Sequence, residues 1–196
     1  MMYILYIGML IAIVLLARWV YRMVFYSVNI KESHLGGEVI IYKKTEGNYQ
    51  DAFSIMNDLR YKLLTTFYIQ TTKGIVIYYD EPNKLEKGKF HLDVGCIIDI
   101  SNIDDIKMAK INQTWKVKAL PIMPSVNMEA PFYGRHSIII NMIKTRTKVE
   151  RYMSSRGYRK GPIIETYDIY AKKMTYRQCL GEYYLIEPIM DINNIK

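Results

Sequence analysis

One order of elements occurs twice along this chain, and that recurrence limits its fold more than any single motif. EVIIYKK (Glu38 to Lys44) is enriched in β-branched residues and predicts a strand. Asn48 to Leu64 sets Ala52, Met56, Leu59 and Leu63 at helical spacing, with Asn48 as N-cap and Asp51 three residues later. GIVIYYD (Gly74 to Asp80) and KFHLDVGCIIDI (Lys89 to Ile100) predict two strands joined by the turn-rich EPNKLEKG. The order then repeats. TWKVKALPI (Thr114 to Ile122) predicts a strand, and a stretch through Pro121, Pro124 and Pro131 leads to a helix from His136 to Arg156. In that helix Ile139, Met142, Val149, Tyr152 and Met153 lie on one side, while Lys144, Lys148 and Arg151 form a basic face on another. Gly161 to Tyr170 and Met174 to Pro188 predict the closing pair of strands. Two β-α-β-β modules predict an α+β domain over residues 38–190: one curved antiparallel sheet with two helices packed on its outer side.

A different composition precedes the first module. From Met1 to Ala17 no side chain is charged, and after Arg18 the apolar and aromatic run continues to Tyr26. At ~1.5 Å per residue this stretch matches a ~30 Å hydrocarbon core. Arg18, Trp19, Arg22 and Tyr26 then fall at the membrane interface. A cleaved signal peptide wants basic residues before the apolar run and small residues after it, and here both are missing. Residues 1–26 are therefore expected to be a transmembrane helix, 27–37 a juxtamembrane linker and 191–196 a short tail. Basic residues follow the span and none precedes it, which places the domain on the cytosolic side.

With 196 residues and 50% apolar content, the chain supports one domain plus a short appendage. Its 27 Lys and Arg against 19 Asp and Glu give +8, so lipid headgroups, acidic protein and nucleic acid all come into view as partners. Lys144 to Lys173 alone carries nine basic residues against three acids. No recognised nucleic-acid module accompanies that stretch, which ranks nucleic acid behind lipid and protein. Cys96 and Cys179 cannot build a disulfide framework and are expected to be buried thiols. His34, His91 and His136 lack carboxylates or thiols at ligand spacing, so no metal and no cofactor is expected. The signatures GxSxG, HExxH, P-loop and GxGxxG are absent, and a non-enzymatic role is expected.

The duplicated modules, with YYDEP ending the third strand and GPIIETYDIY after the long helix, resemble the gyrase-inhibitor-like (GyrI-like) small-molecule-binding fold, related to the SOUL haem-binding fold. An N-terminal span followed by GIVIYYDEPNKLEKGKFHLDVGCI, APFYGRHSIII and ERYMSSRGYRKGPIIETYD is similar to the membrane-anchored testis-expressed ER-phagy receptor family. That resemblance implies a cytosolic domain tethered to the endoplasmic reticulum. The acidic tail with the autophagy-binding motif that it also calls for does not follow Pro188, so the ER-phagy activity is not carried over. The GyrI-like resemblance implies that Glu165 points into a ligand groove walled by Tyr78 and Tyr167, where carboxylate and π faces favour a small cation. Alternation along the strand puts Glu165 and Tyr167 on one face. Three functions follow as expectations: a membrane-tethered adaptor; an accessory subunit of a larger membrane complex, such as a respiratory-chain assembly of the mitochondrial inner membrane; and a small-molecule-binding or hydrolytic protein using Glu165.

Overall fold

A computed structural model describes residues 2–24, 26, 27, 29–47, 49–79 and 90–181. The expected N-cap Asn48, the turn from Glu81 to Gly88, the end of the last strand through Pro188 and the tail 191–196 lie outside the described residues. Its elements are α1 (Met2–Val24), β1 (Ile30–Leu35), β2 (Val39–Gly47), α2 (Tyr49–Phe67), β3 (Lys73–Tyr78), β4 (Phe90–Ile98), α3 (Asp105–Thr114), β5 (Lys116–Ala119), β6 (Met123–Pro131), α4 (Arg135–Arg156), β7 (Lys160–Asp168) and β8 (Lys173–Leu180). The eight strands form one antiparallel sheet in the order β1-β6-β8-β7-β3-β4-β2-β5.

Two equivalent units share this sheet. Strands β2, β3 and β4 with α2 make one, and β6, β7 and β8 with α4 make the other; β3 and β7 join them at the centre. Four boundaries differ from the sequence expectation. The stretch 27–37 is not a plain linker, because β1 occupies Ile30–Leu35; its side chains are mostly exposed, so it is held by backbone pairing and shows no apolar alternation. The strand expected over 114–122 is only the short β5, and the true counterpart of β2 is β6. Prolines disguise β6, yet Pro124 and Pro131 sit at its two ends, where the missing N–H costs least. Helix α3 went unforeseen, although Asp104 caps it by accepting from the Lys107 N–H at 2.7 Å.

Each unit is preceded by a short strand that pairs with the other unit: β1 with β6, and β5 with β2. The two links cross. Gly37 N–H donates to Leu120 O at 2.7 Å, and Leu120 N–H donates to Glu38 O at 2.8 Å. Gly36 lies against Pro121 with φ of 151°, and a Cβ there would fall 2.1 Å from the Pro121 carbonyl oxygen. Only glycine fits this crossing.

One face of the sheet is covered by α2 and α4. Ala52, Met56, Leu59 and Leu63 turn onto it as their spacing predicts, against Val76, Leu92, Val94 and Cys96. The inward side of α4 differs from expectation: Ser137, Ile138, Asn141, Thr145, Val149 and Met153 are buried, whereas Ile139 is 53% exposed. Three consecutive isoleucines hid which one points inward. A second core of Ile40, Tyr42, Ile75, Ile77, Leu120, Met123, Ile164 and Cys179 fills the opposite face. Burial pushes the Cys96 and Cys179 thiols up to about 11, as suits inert core cysteines.

Helix α1 stands apart from both cores. Its described side chains are exposed, from 83% at Tyr3 to 44% at Val20. They run without a break only from Tyr6 to Tyr21, and among the described residues no helix is long and apolar enough to cross a membrane. The side chain of Arg22 lies outside the described residues.

Candidate functional site

Three strands and α4 converge on one carboxylate. Glu165 stands in β7, next to the centre of the sheet, opposite Val76 of β3 and Tyr176 of β8. It is 0% exposed. Tyr78 Oη donates to Glu165 Oε2 at 3.2 Å and Tyr167 Oη donates to the same oxygen at 2.5 Å. The other oxygen, Oε1, is buried with no hydrogen-bond partner. Arg146 of α4 acts on the carboxylate through its charge and hydrogen-bonds Tyr176. Burial raises the Glu165 carboxyl above the usual glutamate range; the two tyrosine hydrogen bonds and Arg146 offset this only in part. Burial, with the Glu165 charge behind it, likewise raises the Tyr176 phenol.

The structure thus brings Glu165, Tyr78 and Tyr167 together. Their face is the one covered by the helices, not an open concavity, and Glu165 is a buried acid with partners. Aromatic rings extend the wall: Phe132 lies 5.4 Å from Tyr167, and Phe53 of α2 lies 6.3 Å from Phe132, tilted in both cases. Above them α4 presents its buried Asn141 and Thr145. Asn141 Nδ2 donates to Pro131 O at 2.7 Å, and Thr145 Oγ1 donates to Asn141 O at 2.6 Å. Tyr26 Oη donates to Asn141 Oδ1 at 2.8 Å, so these buried polar groups are satisfied within the protein. A molecule reaches Glu165 only if the rings or α4 move, since the group has no surface of its own.

Sequence reasoning missed Tyr176 and Arg146. The first was recoverable, because Met174, Tyr176 and Gln178 alternate as Ile163, Glu165 and Tyr167 do. The second was counted among nine surface charges. That basic stretch is broken up: Lys160 pairs with Glu150 at 3.5 Å, Arg156 with Glu32 at 3.9 Å and Lys173 with Glu129 at 3.0 Å. Lys148 and Arg151 remain exposed, whereas Lys144 sits 4.3 Å above the Tyr26 ring. Tyr26, just beyond α1, is half-buried and donates to Asn141 Oδ1 of α4 at 2.8 Å. Arg18 is exposed and Trp19 is 48% exposed.

Among the described residues no group of three His, Cys, Asp or Glu could hold a metal ion. His91 pairs with Glu46 at 3.5 Å, while His34 and His136 are exposed. Among the described residues, open cavities lie away from Glu165. One of about 390 Å³ is lined by Lys44, Glu46, Tyr79, His91 and Asp93, and one of about 360 Å³ borders β1 and β6.

These two units on one antiparallel sheet, with the helices on one face, define the GyrI-like fold. Among solved structures, the EcmrR C-terminal domain is 13% identical with a TM-score of 0.51, over 80% of this chain and 97% of that one. SAV2435 bound to tetraphenylphosphonium is 12% identical with a TM-score of 0.50, over 79% and 94%. A hydrolase encoded by lin2189 from Listeria innocua is 10% identical with a TM-score of 0.51, over 78% and 92%. At such identities the likeness is one of fold alone. No family model and no curated protein matches the sequence, and nothing in these comparisons supports kinship with the ER-phagy receptors.

Proposed function

We propose that this chain is a non-enzymatic binding module for a small lipophilic cation, with Glu165 as the counter-charge. The observation that carries the reading is the wholly buried Glu165 carboxylate, one oxygen held by Tyr78 and Tyr167 and the other without a partner. An isolated buried carboxylate is costly, and a cation placed among aromatic rings offsets that cost. Tyr78, Tyr167 and Phe132 would supply the rings. SAV2435, which shares the fold, is bound to tetraphenylphosphonium, a cation of this kind. The test is calorimetric titration of the full chain with tetraphenylphosphonium, in a neutral detergent with empty micelles as blank. Glu165→Gln keeps an acceptor for the tyrosines but removes the charge, and is expected to weaken binding by about tenfold or more while the domain still melts cooperatively. Equal affinity in both proteins would exclude Glu165 from the site.

A second reading concerns where the module sits, and the exposure of α1 favours it. An apolar helix projecting from a packed domain leaves a large area in water, at a cost of roughly 25 cal/mol per Å². We propose that α1 attaches the domain to a membrane, with Arg18 and Trp19 near the headgroups. Alkaline carbonate is then expected to leave the chain in the membrane pellet, and its appearance in the supernatant would sink this reading.

A further inference from the structure

The sheet face away from α2 and α4 carries a second built site. Its cavity of about 360 Å³ is lined by Ser27, Asn29, Lys31, Asn127, Glu129 and Thr175, along with Ser33 and Leu35. The wall is fixed by buried polar side chains. Ser125 and Asn127 are 1% and 6% exposed; Ser125 Oγ donates to Ser33 O at 3.1 Å and Asn127 Nδ2 donates to Ser33 Oγ at 2.7 Å. Two further buried polar atoms flank it without hydrogen-bond partners, Thr166 Oγ1 and Arg177 Nε. Thr166 is paired in register with Thr175, and Arg177 with Asn127. Opposed residues of an antiparallel pair share a face, so both stand on the side of the cavity. Their residues are only 8% and 4% exposed, so solvent does not satisfy these atoms.

The chemistry of the lining selects an occupant. Lys173 Nζ pairs with Glu129 at 3.0 Å, and Arg177 is matched by Glu38 at 2.6 Å. Lys31 therefore leaves the cavity with a net positive charge, which suits one anionic group. Around it, hydroxyls and amides that both donate and accept suit an occupant bearing hydroxyls. Position adds the rest. Helix α1 ends at Val24, and Ser27 already lines the cavity. A head bound here therefore lies within a few residues of the end of the apolar α1.

We infer that this cavity binds the phosphodiester and polyol headgroup of an anionic glycerophospholipid whose acyl chains lie along α1. The lipid source rests on the reading of α1 as a membrane attachment; the cavity chemistry does not. The test titrates the full chain, in neutral detergent, with dioctanoyl-phosphatidylglycerol, with water-soluble glycerophosphoglycerol and with inorganic phosphate. Saturable binding of the first two is expected. Lys31→Ala and Thr175→Val, at an exposed and a half-exposed position, are each expected to weaken it about tenfold with little change in melting temperature. Lipid binding that ignores both substitutions would overturn the site. Phosphate binding as tight as that of glycerophosphoglycerol would overturn the headgroup reading in favour of free phosphate. Glycerophosphoglycerol binding by a chain that carbonate releases from membranes would retain the phosphodiester site and overturn its lipid source.

Discussion

Lys118→Met is expected to lower the melting temperature by about 10 °C. Lys118 reaches from edge strand β5 across β2 to Asp93 of β4, where its ammonium bonds Asp93 Oδ2 and also donates to Tyr79 Oη at 2.7 Å. Tyr79 Oη donates in turn to Asp93, and the ammonium lies 4.3 Å from the centre of the Tyr42 ring. The two charged side chains are 5% and 2% exposed. Removing one partner of such a pair strands the other charge out of water, which costs about 3–5 kcal/mol. For a chain of this size each kcal/mol moves the midpoint by roughly 2–4 °C. Lys118→Met combined with Asp93→Leu removes both charges and is expected to recover most of the loss. A single variant that melts within about 2 °C of the parent would mean that water reaches Asp93.

Lipophilic-cation binding is expected to tighten as pH rises, by up to about tenfold per pH unit while Glu165 remains protonated in the free protein. The unfolded chain holds this carboxyl at its ordinary value, and burial raises it in the fold. Between the two values the folded protein keeps a proton that the unfolded chain has lost. Stability is therefore greatest below the ordinary glutamate range, falls as pH rises through the window up to the raised folded value, and levels off above it. A bound cation favours the carboxylate and expels the proton. Calorimetry in two buffers of different ionisation enthalpy reads that release directly, and Glu165→Gln abolishes both the release and its share of the stability slope. Binding that is flat with pH in the parent protein would contradict the buried charge as the anchor.

Much of the frame was readable from local pattern, and what escaped depends on contacts between distant segments. The stripe Ala52, Met56, Leu59, Leu63 announced α2 because a whole helical face is apolar. Alternation put Glu165 beside Tyr167, the GyrI-like resemblance named Tyr78 with them, and the structure seats Tyr78 on the neighbouring central strand. β1 gave no such signal: a strand at the sheet edge with exposed side chains is held by its backbone, which every sequence possesses. β6 was masked by prolines that turn out to sit at its ends. The inward side of α4 was misread because its buried positions include Ser137, Asn141 and Thr145, residues that mark a surface unless a polar interior needs them. Arg146 looked like one more cation in a basic stretch, and only the tertiary fold brings it close to Glu165.

The exchange of first strands also says how such a chain could have arisen and how it has to be built. One unit made alone would have a first strand with nowhere to dock and an open edge awaiting one, so two copies would complete each other across a twofold axis. Joining them head to tail turns that intermolecular handshake into an intramolecular one. The cost is paid on the ribosome: until residues 116–131 emerge, β1 and the outer edge of β2 both lack partners, and the edge of β3 stays open until β7 follows, so the nascent first half presents unpaired strand to its neighbours.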